Sequence, residues 1–460
     1  ARPHRAPRIA VVGGGLAGLV AAYRLRQAGL PVTLHEARAA VGGRARSAEA
    51  LGVAGLVQDL GGHFINGDHA DMLGLAREFG IPVLDRRAAA AREEQEAVAF
   101  LFGGRRVPEA EMAAALSPFA ARVAVDAMRL EAEEVVAAAL DRLSVAAYLD
   151  RHVAVLSAPG RALVEASIRS EYGVEPEESS ALQLLFNLPV IRDGRAEPLG
   201  NSDEAFVVRE GAGRIPAALG AALGDVVRTG DALVAVARRG AVQALRLASG
   251  ETVQADIVVL ALPFPVLRGM RLDLDLAPAL ARFIAEGALG ANEKVFAGFR
   301  DRPWREAGGF ATAWSDAAFC NAWEATEGQP RGPDGVLTFL LGGDQAGRAT
   351  PQAGPDLTRA IEAAGVPGLR DAATGRFAAT AWRADPFACG AYASFRPGQL
   401  TDFAEQFWVE DEAGGAAQQV RAGGVFFVGE HLSDAFYGFM NGAAETGRLA
   451  AATILREVRG

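Results

Sequence analysis

Ile9, Ala10, Val11 and Val12 form an unbroken apolar run that ends at Gly13-Gly14-Gly15. Such a run, closed by glycines, reads as a strand buried on both faces. From Leu16 to about Gln27 the apolar residues recur at helical spacing, and Gly29 closes the segment. Val32 to Glu36 predicts the next strand, giving a βαβ unit. From Ala88 to Arg151 the chain is rich in Ala, Glu, Arg and Leu at helical spacing, so that block is expected to be helical, with a break at Ser117-Pro118. After Gly211-Ala212-Gly213 the pattern predicts a short helix to Leu223. Short strands follow through Val226, Val234, Leu245 and Val253. The apolar run Ile257 to Leu262 stops at Pro263, as a buried parallel strand leaving a sheet would. Gly290 to Trp382 reads as irregular and contains Trp304, Trp314, Trp323 and Trp382. Val425 to Gly429 predicts a last strand, before a helix from about Gly442 to Arg456. That closing helix is expected to return to the first domain.

Length and composition fit this picture. A chain of 460 residues is long enough for two domains. With no internal repeat or low-complexity linker, the two are expected to interleave. Hydrophobic residues at 50% and charged residues at 22% are ordinary for a globular enzyme. A net charge of -10 argues against a nucleic-acid partner, which needs a concentrated basic surface. No apolar stretch approaches the ~20 residues of a membrane span. The chain starts at Ala1 without Met, so a trimmed leader stays open. The expected location is cytoplasmic, and a homodimer is compatible with the composition. Cys320 and Cys389 form no CxxC pair, and His4, His35, His63, His69, His152 and His431 have no metal-ligand spacing. No metal is expected, nor a Gly-x-Ser-x-Gly nucleophile.

The glycine turn has the context of a phosphate-binding site. Gly13 allows the tight turn, Gly15 lets the backbone approach a pyrophosphate, and Gly18 lets the helix pack on the sheet. The helix N-terminus presents unpaired N–H groups and a favourable dipole. Glu36, ending the second strand, is suited to accept hydrogen bonds from both ribose hydroxyls, and its charge disfavours a 2′-phosphate.

Two longer strings carry a resemblance. "EARAAVGGRARS", from Glu36 to Ser47, and "GGVFFVGEHLSDAFYGFMNGAAETGRLAA", from Gly423 to Ala451, resemble the opening and closing cofactor motifs of flavin amine oxidases. The chain is identified on them as similar to the flavin monoamine oxidase family over nearly its whole length. The resemblance implies noncovalent FAD, held by Gly13, Gly15, Ala17, Gly18, Glu36, Arg44, Gly61, Gly62, His63, Phe64, Val234, Trp382, Glu430, Gly438, Phe439 and Met440. Val234 would face the adenine and Glu430 the ribityl chain. It implies an α/β fold with a Rossmann-like FAD-binding domain (8–87, 209–289 and 385–456). A substrate-binding domain of mixed sheet and helices (88–208 and 290–384) would interleave with it.

For the chemistry, the resemblance implies oxidation of a small-molecule amine, with O2 returning the flavin to its oxidised state. Lys294 would hold a water near flavin N5, and Tyr392 and Phe439 would face each other across the substrate amine. Ala391 stands where animal monoamine oxidases carry the cysteine that tethers FAD, with Cys389 two positions earlier. Phe64 falls where amino-acid oxidases place a carboxylate-binding arginine, leaving Arg169 or Arg192 as substitutes. Asn66 falls where many polyamine oxidases carry Glu or His, which weakens a polycationic substrate. Tyr172, Leu184 and Phe186 are further pocket candidates, with core packing the stronger expectation for each. The alternatives are an L-amino-acid oxidase, a desaturase or porphyrinogen-type oxidase on the same scaffold, and a flavin-containing scaffold protein without turnover.

Overall fold

The computed structural model describes residues 6–86, 88, 96–329 and 332–459. Ile9–Val12 lies inside a six-stranded sheet in the order Val227–Thr229, Val32–Glu36, Ile9–Val12, Ile257–Leu260, Val425–Phe427, Arg421–Ala422. Neighbours are parallel except for the last pair. Helices cover parallel strands on both faces, which explains why all four residues of Ile9–Val12 are at most 3% exposed. The helices Leu16–Gln27 and Met440–Arg459 pack so closely that a Cβ on Gly447 would stand 2.2 Å from the Ala17 carbonyl oxygen. The C-terminus therefore does return to the N-terminal unit.

The stretch 290–382 is ordered sheet, not irregular chain. It supplies five strands of a seven-stranded sheet in the order Ala373–Ala379, Asn292–Phe299, Gly335–Gly342, Asn321–Glu324, Phe310–Ser315, Glu96–Phe102, Arg105–Val107. Every residue of Asn292–Phe299 and Gly335–Gly342 is buried. Strands buried on both faces have no polar alternation, so the sequence shows no period of two.

The expected helical block also needs two corrections. Glu96–Phe102 and Arg105–Val107 form a hairpin, because Gly103 and Gly104 both adopt positive φ (61° and 72°) in a two-residue turn. Residues 89–95 of that block lie outside the described residues. The break at Pro118 does not occur: Glu109–Ala132 is one helix with Pro118 inside it. Proline costs an interior helix ~3 kcal/mol. Here Met112, Leu116, Phe119 and Val123, each fully buried, hold both halves of the helix to one core.

That core lies between the Glu109–Ala132, Val145–Arg151, Ala158–Tyr172 and Ala181–Asn187 helices and one face of the seven-stranded sheet, where Trp314, Trp323 and Leu340 join it. The Gly354–Ala363 helix covers the opposite face through Leu357 and Ile361. Short pairings tie the chain crossings together: Phe206–Val208 with Phe64–Ile65 and Val83–Asp85, and Ala288–Leu289 with Ala393–Ser394.

Close approach at Gly18 yields a test. A Cβ there would lie 1.9 Å from the Gly13 carbonyl oxygen and 3.0 Å from Ala261 Cβ, so Gly18→Ala is expected to destabilise by about 1–3 kcal/mol. Gly74, inside the Ala70–Glu78 helix, has no atom within 4 Å of such a Cβ. Gly74→Ala is expected to stabilise by about 0.5–1 kcal/mol. Thermal unfolding midpoints of the two variants should move in opposite directions.

Candidate active site

The parallel strands end on one edge of their sheet, and an elongated cavity of about 1210 Å³ opens there. Single small-ligand pockets run to ~300–1,000 Å³. This cavity continues past Val12, Gly13, Glu36, Ala261 and Gly429 at the strand ends to Lys294, Asn321, Trp323 and Leu340 of the seven-stranded sheet. All the residues expected at the cofactor or the chemistry line it except Gly18. Gly18 packs behind Gly13 and spaces the helix from the sheet.

At the sheet end, Gly13 has φ +103°, and a Cβ there would strike the Ala261 carbonyl oxygen at 2.4 Å. Gly15 faces open space, since a Cβ on it would meet only Gly43 Cα, at 3.9 Å. The helix beginning at Leu16 has no side-chain cap and no acidic residue in its first turn, so its first N–H groups stay open to a ligand anion. Glu36 is fixed in place by the Gly14 and Arg38 N–H groups, at 2.6 and 2.8 Å. Val234 occupies a β-bulge, the register passing from Leu233 opposite Leu247 to Ala235 opposite Arg246. A bulge leaves its extra residue outside the ladder, so the backbone of Val234 is free to meet a ligand.

On the cavity lining three distant segments meet at Glu430. Its Oε1 pairs with Arg44 Nη1 at 2.8 Å, while its Oε2 accepts the N–H groups of Gly438 (2.8 Å) and Ala393 (3.2 Å). Arg44 also donates to the Ala391 carbonyl oxygen. Ala391 lines the cavity and Cys389 does not. Trp382 donates its indole N–H to Leu60 O at 3.0 Å. Gly62 is pressed against Met440, whose sulfur would lie 2.6 Å from a Cβ.

Lys294 reaches from its buried strand to the loop after Asp59. Its Nζ donates to the carbonyl oxygens of Asp59 (2.9 Å) and Gly61 (2.6 Å) and lies 5.4 Å from the Trp323 ring centroid. Burial penalises the ammonium and lowers Lys294 to about 8, against the opposing pull of Asp59. The chain has 46 Lys and Arg residues together, and Lys294 is its single lysine. That isolation was a signal available in the sequence. Arginine stays protonated when buried, whereas a lysine there can lose its proton near neutral pH.

His63 stands beside this amine, its Nδ1–H donating to Asp59 Oδ2 at 2.7 Å. Burial lowers the imidazole below its ordinary value despite Asp59, and its Nε2 is unpartnered in the interior. Its ring stacks on Trp323 (5.9 Å) and meets Phe64 edge-on (4.6 Å). Tyr392 donates its hydroxyl to Ser170 O. Burial, with Glu171 adding to it, raises this phenol well above its ordinary range. Phe439 packs edge-on against His69 at 5.1 Å.

Of the further candidates, Tyr172 and Phe186 line the cavity, while Leu184 is buried in the helical core. The proposed carboxylate anchors are elsewhere: Arg169 pairs with Glu175 at 2.7 Å, and Arg192 is on the surface with Glu197. Arg38 and Arg44, the arginines among the lining residues, are engaged by Asp385 and Glu430. Sequence reasoning missed Glu171, Glu204, Asn292 and Asn321, which line the far end. They sit on separate segments with no local motif, so nothing in the sequence drew them together.

Known proteins resemble this chain over most of its length. The family described as flavin containing amine oxidoreductase matches residues 16–455. A flavin-containing amine oxidase of Danio rerio is 23% identical, over 97% of this chain and 85% of its own length. The putative flavin-containing monoamine oxidase AofH of Mycobacterium tuberculosis (strain H37Rv) is 30% identical, over 67% of this chain and 68% of its own. Among solved structures, a double mutant of putrescine oxidase with redesigned cofactor binding superposes with a TM-score of 0.81 at 19% identity, covering 98% of this chain and 99% of that one. Cyclohexylamine oxidase from Brevibacterium oxydans gives 0.77 at 21%, covering 99% and 100%.

A single lysine makes its ionisation directly readable. Protein labelled with [ε-13C]lysine should show one side-chain resonance with a midpoint near pH 8, not near the ordinary 10.5. Because the folded state gives up this proton first, Lys294 should make stability rise with pH between about 8 and 10.5. A midpoint at the ordinary value would contradict its burial.

Proposed function

Because this chain belongs to the flavin-containing amine oxidoreductases, we propose that it is an FAD-dependent oxidase converting a small amine to its imine, with O2 as acceptor and H2O2 as product. One observation carries the reading: a phosphate turn, a buried single lysine and two aromatic rings from distant parts of the chain line one cavity.

The residues present fit the cofactor. The open face of Gly15 and the uncapped helix behind it accept a pyrophosphate, Glu36 the adenosine ribose and the bulge at Val234 the adenine. Arg44, Gly61, Gly62, His63, Phe64, Trp382, Glu430, Gly438, Phe439 and Met440 would then border the ribityl chain and flavin. In this reading 8–87, 209–289 and 385–456 form the FAD-binding domain, and 88–208 and 290–384 cap it. When bound, FAD would supply a two-electron acceptor for the hydride of the amine's α-carbon, with N5 as the accepting position and O2 as the terminal oxidant, reduced to H2O2. Water hydrolyses the imine to an aldehyde or ketone.

The protein's part is positioning and proton control. The rings of Tyr392 and Phe439 hold the amine by its flanks and aim its α-carbon. Only the neutral amine has a lone pair to form the imine, and an apolar, water-poor pocket favours that form. Lys294, with a value of about 8, holds a water by its Nζ and exchanges a proton near neutral pH. Ala391 offers no sulfur for a tether, so FAD is held noncovalently. An amino-acid substrate lacks its anchor, since Arg169 and Arg192 are committed away from the cavity.

Anaerobic addition of amines should bleach the flavin where amino acids do not, and air should restore it with peroxide release. Acid precipitation should leave the flavin in the supernatant. The kcat/KM for an amine should rise with pH as the substrate deprotonates, and a flat profile would sink the neutral-amine account. Lys294→Met should slow flavin reoxidation by roughly 100-fold in stopped-flow absorbance.

A further inference from the structure

The single lysine has one close neighbour that its hydrogen bonds do not explain. As an ammonium, Lys294 Nζ carries three hydrogens, and the carbonyl oxygens of Asp59 and Gly61 accept two of them. The same nitrogen stands over the Trp323 ring, 5.4 Å from its centroid. We propose that Trp323 is a positioning residue for the step with O2: its indole face holds the Lys294 ammonium by a cation–π contact, completing a cradle begun by the two carbonyl oxygens. The contact stands on geometry alone, and its bearing on O2 rests on the amine-oxidase reading above.

The sheet turns both side chains to one face. Lys294 stands opposite Leu340, and Leu340 opposite Asn321, across three adjacent strands. Trp323, two residues beyond Asn321, shares that face, and all four line the cavity. The indole is then clamped from the loop after Asp59. His63 stacks on it at 5.9 Å with the planes 24° apart, and Phe64 meets it at 5.1 Å. Asp59 closes the circuit, because its carbonyl oxygen accepts from Lys294 while its carboxylate accepts from the His63 ring that packs on Trp323.

The choice of tryptophan is an independent observation. Buried indoles ordinarily use their N–H, and Trp304, Trp382 and Trp408 donate to Glu324 Oε2, Leu60 O and Phe427 O. Trp323, 3% exposed, has no hydrogen-bond partner for its indole N–H among the described residues. An unpaired buried donor is costly, and phenylalanine would avoid that cost. What tryptophan adds is the ring face with the strongest attraction for a cation.

Ionic support for the ammonium is sparse. Burial disfavours it, and Asp59 is the carboxylate that opposes burial. Glu293, next on the strand, turns away to accept from Thr380 Oγ1 at 2.6 Å and from the Arg383 N–H at 3.0 Å. His63 is pushed down by burial, with Lys294 and Arg86 adding to it. Arg86 lies against the Phe64 ring, and Glu171 and Glu204 line the far end of the cavity. A π face steadies the cation without adding another ionisable group, and the contact strengthens where water is excluded.

The test uses holoenzyme carrying [ε-13C]lysine, whose one side-chain resonance reports Lys294 directly. Growth on 5-fluorotryptophan withdraws charge from the face of each of the five indoles while nearly keeping their shape. The Lys294 midpoint should fall by about 0.2–0.5 pH unit in that protein and by about one unit in Trp323→Leu, with Trp323→Phe recovering about half of the loss. The pH midpoint of flavin reoxidation, followed by stopped-flow absorbance, should move down with it. A Lys294 midpoint that is unmoved by fluorotryptophan, or that rises in Trp323→Leu, would overturn the contact and leave the amine-oxidase reading standing. A midpoint that falls while the reoxidation profile stays fixed would support the contact and overturn the part given to Lys294 in the O2 step. The fluorotryptophan comparison decides the matter even if a substituted variant does not fold.

Discussion

The architecture around the cavity depends on the ion pair between Arg44 and Glu430. Arg44 follows the N-terminal glycine motif, Glu430 follows the last strand of the parallel sheet, and 386 positions separate them. The Glu430 side chain is 7% exposed and takes donors from Arg44, Ala393 and Gly438, so one carboxylate pins the opening motif, the Tyr392 segment and the closing motif together. Removing one partner of a buried pair costs about 3–5 kcal/mol, because the other is left uncompensated. In this protein that loss would fall on the segments that carry the aromatic wall.

A second constraint is the handling of charge in a closed interior. The loop after Asp59 is tied by Ser47 and by the Ala212 N–H to the Asp59 carboxylate, and by Lys294 through its carbonyl oxygens. Lys294 therefore organises the loop by hydrogen bonds and at the same time presents a proton that can leave. Glu171 and Glu204 line the same cavity, and burial shifts them in the opposite direction, although Arg86 stands 3.7 Å from Glu204.

The glycine-turn end of the cavity was legible because its geometry is local. Gly13, Gly15 and Glu36 lie within one βαβ unit, where backbone conformation and a strand-end carboxylate can be read from short spacings. The resemblance extended this to Arg44, Glu430 and the closing glycines. Two-faced burial hid the seven-stranded sheet, since Gly335–Gly342 shows no polar alternation. Packing decided Pro118, where a propensity that ends most helices gave way to a buried apolar stripe on both sides. The single lysine was visible all along as a composition fact, but its meaning required the strand that buries it.

By itself, the sequence determined the α/β class, the glycine turn and the family, because these rest on short-range patterns and on strings long enough to be distinctive. The tertiary structure alone decided where the charges meet. It freed the cavity of Arg169 and Arg192 by pairing them elsewhere, and it brought Glu171, Glu204, Asn292 and Asn321 to one cavity. Residues on separate elements have no spacing to read, and whether a carboxylate is solvated or stranded depends on what the fold places around it.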